Sequence, residues 1–263
     1  METLNLRDFE KDQVNYWSTR AEKLSDSRMV SIADPIQKDT EIRFIDSLAL
    51  EFGDLLEIGC GNAIMTRYFE AKAKTVTAID TSREMIQRAH RDNKFYASTK
   101  VQLGNATDLD FPDNSFDTIV LVRVLINMSE RKIQEKAIRE AHRVLKANGH
   151  MILIEGSLES FQTINFLRNQ LELVAIKPSR INRYLENDFF ENEVNLRFVN
   201  VIEINSGIYD FVSRVLFSGQ DETQFNFKLE EIKLRLSRLL DFHQDFHLLR
   251  DCSRLRGGLY QKR

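Results

Sequence analysis

The stretch Asp54-Leu55-Leu56-Glu57-Ile58-Gly59-Cys60-Gly61-Asn62-Ala63 decides the fold. An apolar run leads into two glycines one residue apart, and residues 63–72 then suit a helix. A short apolar run, a Gly-rich break and helical periodicity together read as buried strand, tight turn and helix. Glycine lets such a turn close and lets a ligand approach the backbone. In an open parallel sheet, this turn lies beside the crevice at the carboxyl ends of the strands. A dinucleotide fingerprint would place a third Gly at position 64, where Ile64 stands.

Downstream the alternation continues. TVTAID (75–80) reads as a second strand, and Ser82 can cap a helix over 83–92 with Met85, Ile86 and Ala89 inward. KVQLGNA (100–106) is a strand, PDNS (112–115) a turn, and FDTIVLV (116–122) a near-continuous apolar strand. A long helix is expected over 130–146, with Ile133, Ala137, Ile138, Ala141, Val144 and Leu145 on one face. Ala147-Asn148-Gly149 ends it, Gly149 suiting the left-handed position. HMILIEG (150–156) is the next strand. Strands alternating with helices predict an α/β fold: a doubly wound, mostly parallel sheet with helices on both faces.

Upstream, Phe9, Val14, Trp17, Ala21 and Leu24 space out an amphipathic helix over 8–24. Asp34-Pro35 breaks it, and 38–51 is helical again. After Gly156 the rhythm changes. Helices are expected over 160–173, 181–192, 207–217 and 228–249, and a strand in RFVNVIEI (197–204). GGLYQKR (257–263) closes the chain as an edge strand. No repeat or flexible linker divides the chain. It reads as one domain, 1–263: a helical N-terminal cap (1–50), a ligand-binding core (53–156), a lid insertion (157–192) and the remaining sheet and helices (193–263).

Composition bounds the function. The 263 residues are 42% hydrophobic, enough for a substantial core. Thirty-seven basic against 40 acidic residues give a net charge of −3, so no strong field calls for nucleic acid or an anionic membrane. Cys60 and Cys252 are too few for a disulfide framework or a four-cysteine zinc site. No secretory signal or spanning apolar run is visible, so a cytoplasmic protein is expected. His90, His142 and His150 fall away from the crevice mouth. His243 and His247 are four apart on one helix face, a metal-binding spacing without a further ligand in view, and no metal is expected.

With LLEIGCGNA (55–63), VTAIDTSREMI (76–86), QLGNATDLDFPDNSFD (102–117) and HRVLKANGHMILIEG (142–156) in order, the chain resembles class I S-adenosylmethionine (SAM) methyltransferases. Ala63 stands for the usual third small Gly, Asn105 for the usual Asp, and Ala147 for the usual Pro. The resemblance implies SAM as cofactor and a seven-stranded, Rossmann-like sheet ordered 3-2-1-4-5-7-6, with strand 7 alone antiparallel. It also implies roles. Gly59 and Gly61 pass the methionine part of SAM, and Glu57 orients the turn or reaches the ligand through water. Asp80 holds the ribose with Thr81 beside it. Met85 lies against the adenine, and Asn105 with the Ala106 backbone reads its edge. Tyr16 and Trp17 match an element that closes over SAM. RVLINM (123–128), ILIEGS (152–157), IN-FLR (164–168) and IYDFVSRVLFSG (208–219) further resemble a bacterial subgroup associated with polysaccharide or other glycan biosynthesis.

Arg123 and Asn127 follow the fourth strand, and Glu155 ends the fifth, so all three should face the crevice. A cation beside a sulfonium requires an anionic partner, either a carboxylate or phosphate of the substrate or Glu155 itself. Glu155 is the best-placed general base for a hydroxyl acceptor, and equally fits a hydrogen-bonded structural carboxylate. Asn165 and Arg168 are placed in the lid or on a solvated helix face. Cys60 packs within its turn. The expected activity is methyl transfer to oxygen of a small glycan-related acceptor, anionic or neutral. The alternatives are methylation of another metabolite, such as a quinone precursor or amine, and a silent methyltransferase-like binding protein.

Overall fold

The computed structural model describes residues 6–30, 35–195, 197–204, 210–216 and 253–263. Seven strands form one sheet: β1 (Asp54–Ile58), β2 (Thr75–Asp80), β3 (Thr99–Leu103), β4 (Phe116–Val122), β5 (Leu145–Gly156), β6 (Phe198–Glu203) and β7 (Leu255–Lys262). Their order is β3-β2-β1-β4-β5-β7-β6. β7 runs antiparallel between β5 and β6, and the other pairings are parallel. The sheet therefore has the expected order. The pattern-based reading of 257–263 as an edge strand is corrected: β7 is interior, and β6 forms the edge.

Two apolar layers cover the sheet because neighbouring strand residues point to opposite faces. Leu56, Ile119 and Leu153 pack with Ala137, Ile138 and Ala141 of helix α5 (Arg131–Val144) on one face. Leu55, Val120 and Ile152 pack on the other with Ile45 of α2 (Pro35–Ser47), Phe69 of α3 (Ile64–Phe69) and Ala89 of α4 (Arg83–Asp92). Helix α1 (Leu6–Lys23) lies against α4, where Ala21, Trp17 and Leu24 enclose Met85.

Element ends differ from expectation in three places. Helix α5 stops at Val144, because Leu145 already pairs with Phe116, and the left-handed residue is Asn148 (φ 61°) rather than Gly149. Helix α6 (Leu158–Gln170) starts early because the Ser157 hydroxyl accepts the Ser160 amide at 3.3 Å. The helix expected over 181–192 is only a turn at Asn187–Phe189 running into a wide turn at Phe190–Val194. The helix expected over 228–249, with His243 and His247, lies outside the described residues, as do Cys252 and part of 207–217. No helix among the described residues is long and apolar enough to cross a membrane.

Candidate active site

The strand order reverses between β1 and β4, so the turns leaving these strands splay apart and open a crevice. A cavity of about 820 Å³ occupies it. Small-molecule sites span roughly 300–1,000 Å³, so this one lies toward the upper end of that range.

The turn after β1 forms one end. The amides of Gly59 and Cys60 donate to the Ile79 carbonyl at 2.8 and 3.0 Å, which ties the turn to β2. Gly59 has φ 74°, and a Cβ there would meet Val124 Cγ2 at 2.6 Å, so this position requires glycine. Gly61 (φ 54°) and Ala63 (φ 64°) are also left-handed, so Ala63 keeps the turn at the strain cost of a non-glycine residue. Asp80 accepts the Gly61 and Ser82 amides, both at 2.8 Å, bracing the turn against the head of α4. Burial raises its carboxyl pKa. Glu57 is buried, accepts the Thr66 hydroxyl at 2.6 Å, and is pushed up to about 7 by burial. Burial also holds the Cys60 thiol well above its usual range, consistent with packing.

Gly59, Gly61, Asp80, Thr81, Met85, Asn105 and Ala106 all line this end, as does the buried Glu57. The Asn105 side-chain oxygen accepts the amide and hydroxyl of Thr107, both at 2.9 Å, so it shapes its own turn. Tyr16 and Trp17 roof the cavity from α1 and meet edge-to-face at 4.9 Å.

The other end contains Arg123, Asn127, Ser179, Tyr184, Arg214 and Arg254. Arg123 is left-handed (φ 56°), a strained backbone that turns its side chain. Within the protein its ion-pair partner is not Glu155, the one weighed from sequence. Nε meets Oε1 of Glu41, a fully buried residue of α2, at 2.9 Å. Glu155 lies under the 123–127 loop, fully buried, and accepts the amides of Val124, Leu125 and Ile126 at 2.9, 2.8 and 3.1 Å. The carboxylate is thus a clamp on the loop and does not line the cavity. Burial raises its pKa to about 7 despite the three amides. Asn127 donates to the Arg123 carbonyl at 2.7 Å, and its side-chain oxygen is buried without a hydrogen-bond donor. Asn165 is tied to Ile176 and Arg168 to Val174, so both brace the insertion, away from the cavity wall. Sequence reasoning missed Lys38, Glu41, Arg214 and Arg254. Lys38, Glu41 and Arg254 stand in stretches with no motif, Arg214 lies in the quoted 208–219 stretch without having been singled out, and only long-range packing brings the four here.

Residues 56–153 match the family described as a methyltransferase domain. A relative from Rickettsia bellii, named a ubiquinone/menaquinone biosynthesis C-methyltransferase, is 27% identical over 75% of this chain and 75% of its own. A demethylmenaquinone methyltransferase of Tropheryma whipplei is 36% identical over 49% of this chain and 52% of its own. The chain is a SAM-dependent methyltransferase. The solved N-methyltransferase NodS of Bradyrhizobium japonicum, 15% identical, shares the methyltransferase's fold with a TM-score of 0.57 over 94% of this chain and 98% of that one.

Proposed function

We propose that this methyltransferase binds SAM at the Gly59–Gly61 end of the cavity and methylates oxygen of a small, polar, anionic, glycan-related acceptor at the other end. One observation carries this reading: a single cavity joins the β1 turn to a wall bearing Arg123, Asn127, Arg214 and Arg254. In the donor half, Gly59 and Gly61 admit the methionine part, and Asp80, with Thr81, receives the ribose hydroxyls on the free lone pairs of its two oxygens. Ala106 meets the adenine edge on the turn that Asn105 shapes, Met85 backs the ring, and Tyr16 with Trp17 covers it. Glu57 stiffens the turn from below.

Methyl transfer is an in-line displacement with a good leaving group, so alignment alone supplies about 7–11 kcal/mol. Arg123 and Asn127 are assigned to orienting the acceptor. Glu155 is assigned to holding their loop, because its oxygens are engaged by amides. Arg123, Asn127, Arg214 and Arg254 suit an anionic, hydroxylated acceptor, and Ile126, Ile133 and Ile181 give the same cavity apolar surface against which its carbon skeleton can pack. A second reading, carbon methylation of a quinone precursor, draws support from the Rickettsia bellii relative.

The test is incubation with labelled SAM and a metabolite extract, followed by mass spectrometry of the products. Methyl ethers of anionic sugars are expected, and a ring-methylated quinol would select the second reading. Asp80→Ala should weaken SAM binding by about 1.5–3 kcal/mol, the range for a hydrogen bond to a charged acceptor. Equal calorimetric affinities for mutant and parent would remove the ribose assignment.

A further inference from the structure

Glu41 is fully buried and pairs with two cations of the cavity wall. Arg123 Nε lies 2.9 Å from one of its oxygens, and Lys38 Nζ lies 3.2 Å from the other. Lys38 and Arg123 both line the cavity, with side chains only 11% and 20% exposed. Two cations therefore share one carboxylate in a poorly hydrated wall. Burial lowers the Lys38 pKa, and the adjoining Glu41 carboxylate opposes this by favouring the ammonium; Glu57 also faces Lys38, but its own burial holds its pKa near 7, so it answers the ammonium only in part. Among the described residues, no acceptor meets the two terminal nitrogens of Arg123. Glu41 engages the inner edge of the guanidinium and leaves the outer fork to the cavity. A buried cation in excess is costly unless an anion completes it, and a guanidinium fork matches the two oxygens of a carboxylate or phosphate. The strained backbone of Arg123 is what aims the fork.

We propose that Lys38 and Arg123, bridged by Glu41, form an oxyanion subsite at the junction of the two halves of the cavity, taking a carboxylate or phosphate group. The proposal rests on the donor and acceptor halves assigned above. Two ligands could bring that chemistry: the amino-acid carboxylate of the methyl donor, or an acidic group of the acceptor.

Calorimetric titration of the full chain separates them. The probes are S-adenosylhomocysteine, 5′-methylthioadenosine, which lacks the amino-acid carboxylate, and inorganic phosphate added to protein saturated with S-adenosylhomocysteine. The variants are Lys38→Met and Arg123→Lys. The second keeps a charge opposite Glu41 and serves if the first does not fold. If the donor's carboxylate binds here, each variant loses about tenfold or more in affinity for S-adenosylhomocysteine and none for 5′-methylthioadenosine. If the acceptor's group binds here, both nucleoside affinities hold, and phosphate binding seen with the parent is lost. Folded variants that bind all three probes like the parent overturn the subsite. A parent that binds neither nucleoside overturns the donor assignment instead. Phosphate titrated alone then decides the subsite, kept if the parent binds it and Lys38→Met does not, and overturned otherwise.

Discussion

Glu155 stands at the carboxyl end of β5, where a general base is expected, yet its oxygens turn beneath the 123–127 loop and hold three amides. Its place at the crevice was legible from strand periodicity, but its direction was not, because the direction depends on a left-handed Arg123 that no local pattern announces. The Gly59–Gly61 turn and Asp80 were legible because their geometry is made within one strand–turn–helix unit. The buried carboxyl has a measurable consequence. The folded-state pKa of about 7 lies above the ordinary value of 4.5, so folding favours the protonated form. The associated stability is fully present below about pH 4.5 and is lost as pH rises through about 7. Glu57 contributes with the same sign. Glu155→Gln imitates the protonated acid and should cost about 1–3 kcal/mol at about pH 5, where one oxygen must serve three amides. The gap to the parent should narrow at about pH 7.5, because the parent alone carries a buried charge there. Urea unfolding at both pH values checks this, and an equal gap would show that the carboxyl is not raised.

At the scale of elements, the cap is held by a clasp that amphipathic spacing does not reveal. The periodicity of Trp17, Ala21 and Leu24 predicted the helix and the face it buries. The inward face read from sequence on α4 holds Met85, Ile86 and Ala89 and omits Arg88, yet Arg88 is buried and donates to the carbonyls of Ala21, Leu24 and Ser25 at 3.0, 2.7 and 3.2 Å, while pairing with Asp92. Asn62 adds a bond to the Ser27 carbonyl at 2.8 Å. These contacts seat Tyr16 and Trp17 over the cavity. Arg88→Leu leaves the carbonyls of Ala21, Leu24 and Ser25 without this donor, at about 1–3 kcal/mol for each buried acceptor left unsatisfied, while Asp92 keeps the Ser27 hydroxyl and Arg91. The loss should fall mainly on the cap. Hydrogen exchange should quicken across α1, exchange in β1 and β4 should hold, and S-adenosylhomocysteine should bind more weakly. Uniformly faster exchange throughout the sheet would show instead that the clasp supports the whole fold.

At the scale of the whole molecule, the sheet depends on β7. Its interior place followed from family resemblance, whereas pattern alone put it at the edge, because Gly257-Gly258 is a poor sequence for a central strand. The glycines are there because the β5 backbone is close: a Cβ on Gly257, at φ 127°, would stand 1.9 Å from the Leu153 carbonyl oxygen. Removing residues 255–263 takes away every pairing that joins β6 to the sheet. The truncated chain should fail to melt cooperatively, and Gly257→Ala should be destabilised by at least about 1–3 kcal/mol, the usual cost of overpacking. A truncated chain with a sharp calorimetric transition would contradict this dependence. The order of synthesis adds a constraint. A ribosome delivers β1 to β6 before it makes the one strand that lies between β5 and β6. During that interval the nascent chain holds two unpaired strand borders, a natural target for chaperones and a hazard for self-association. The β1 turn to which we assign the methyl donor is complete long before then, so on that assignment a nascent chain meets its cofactor while its sheet is still open.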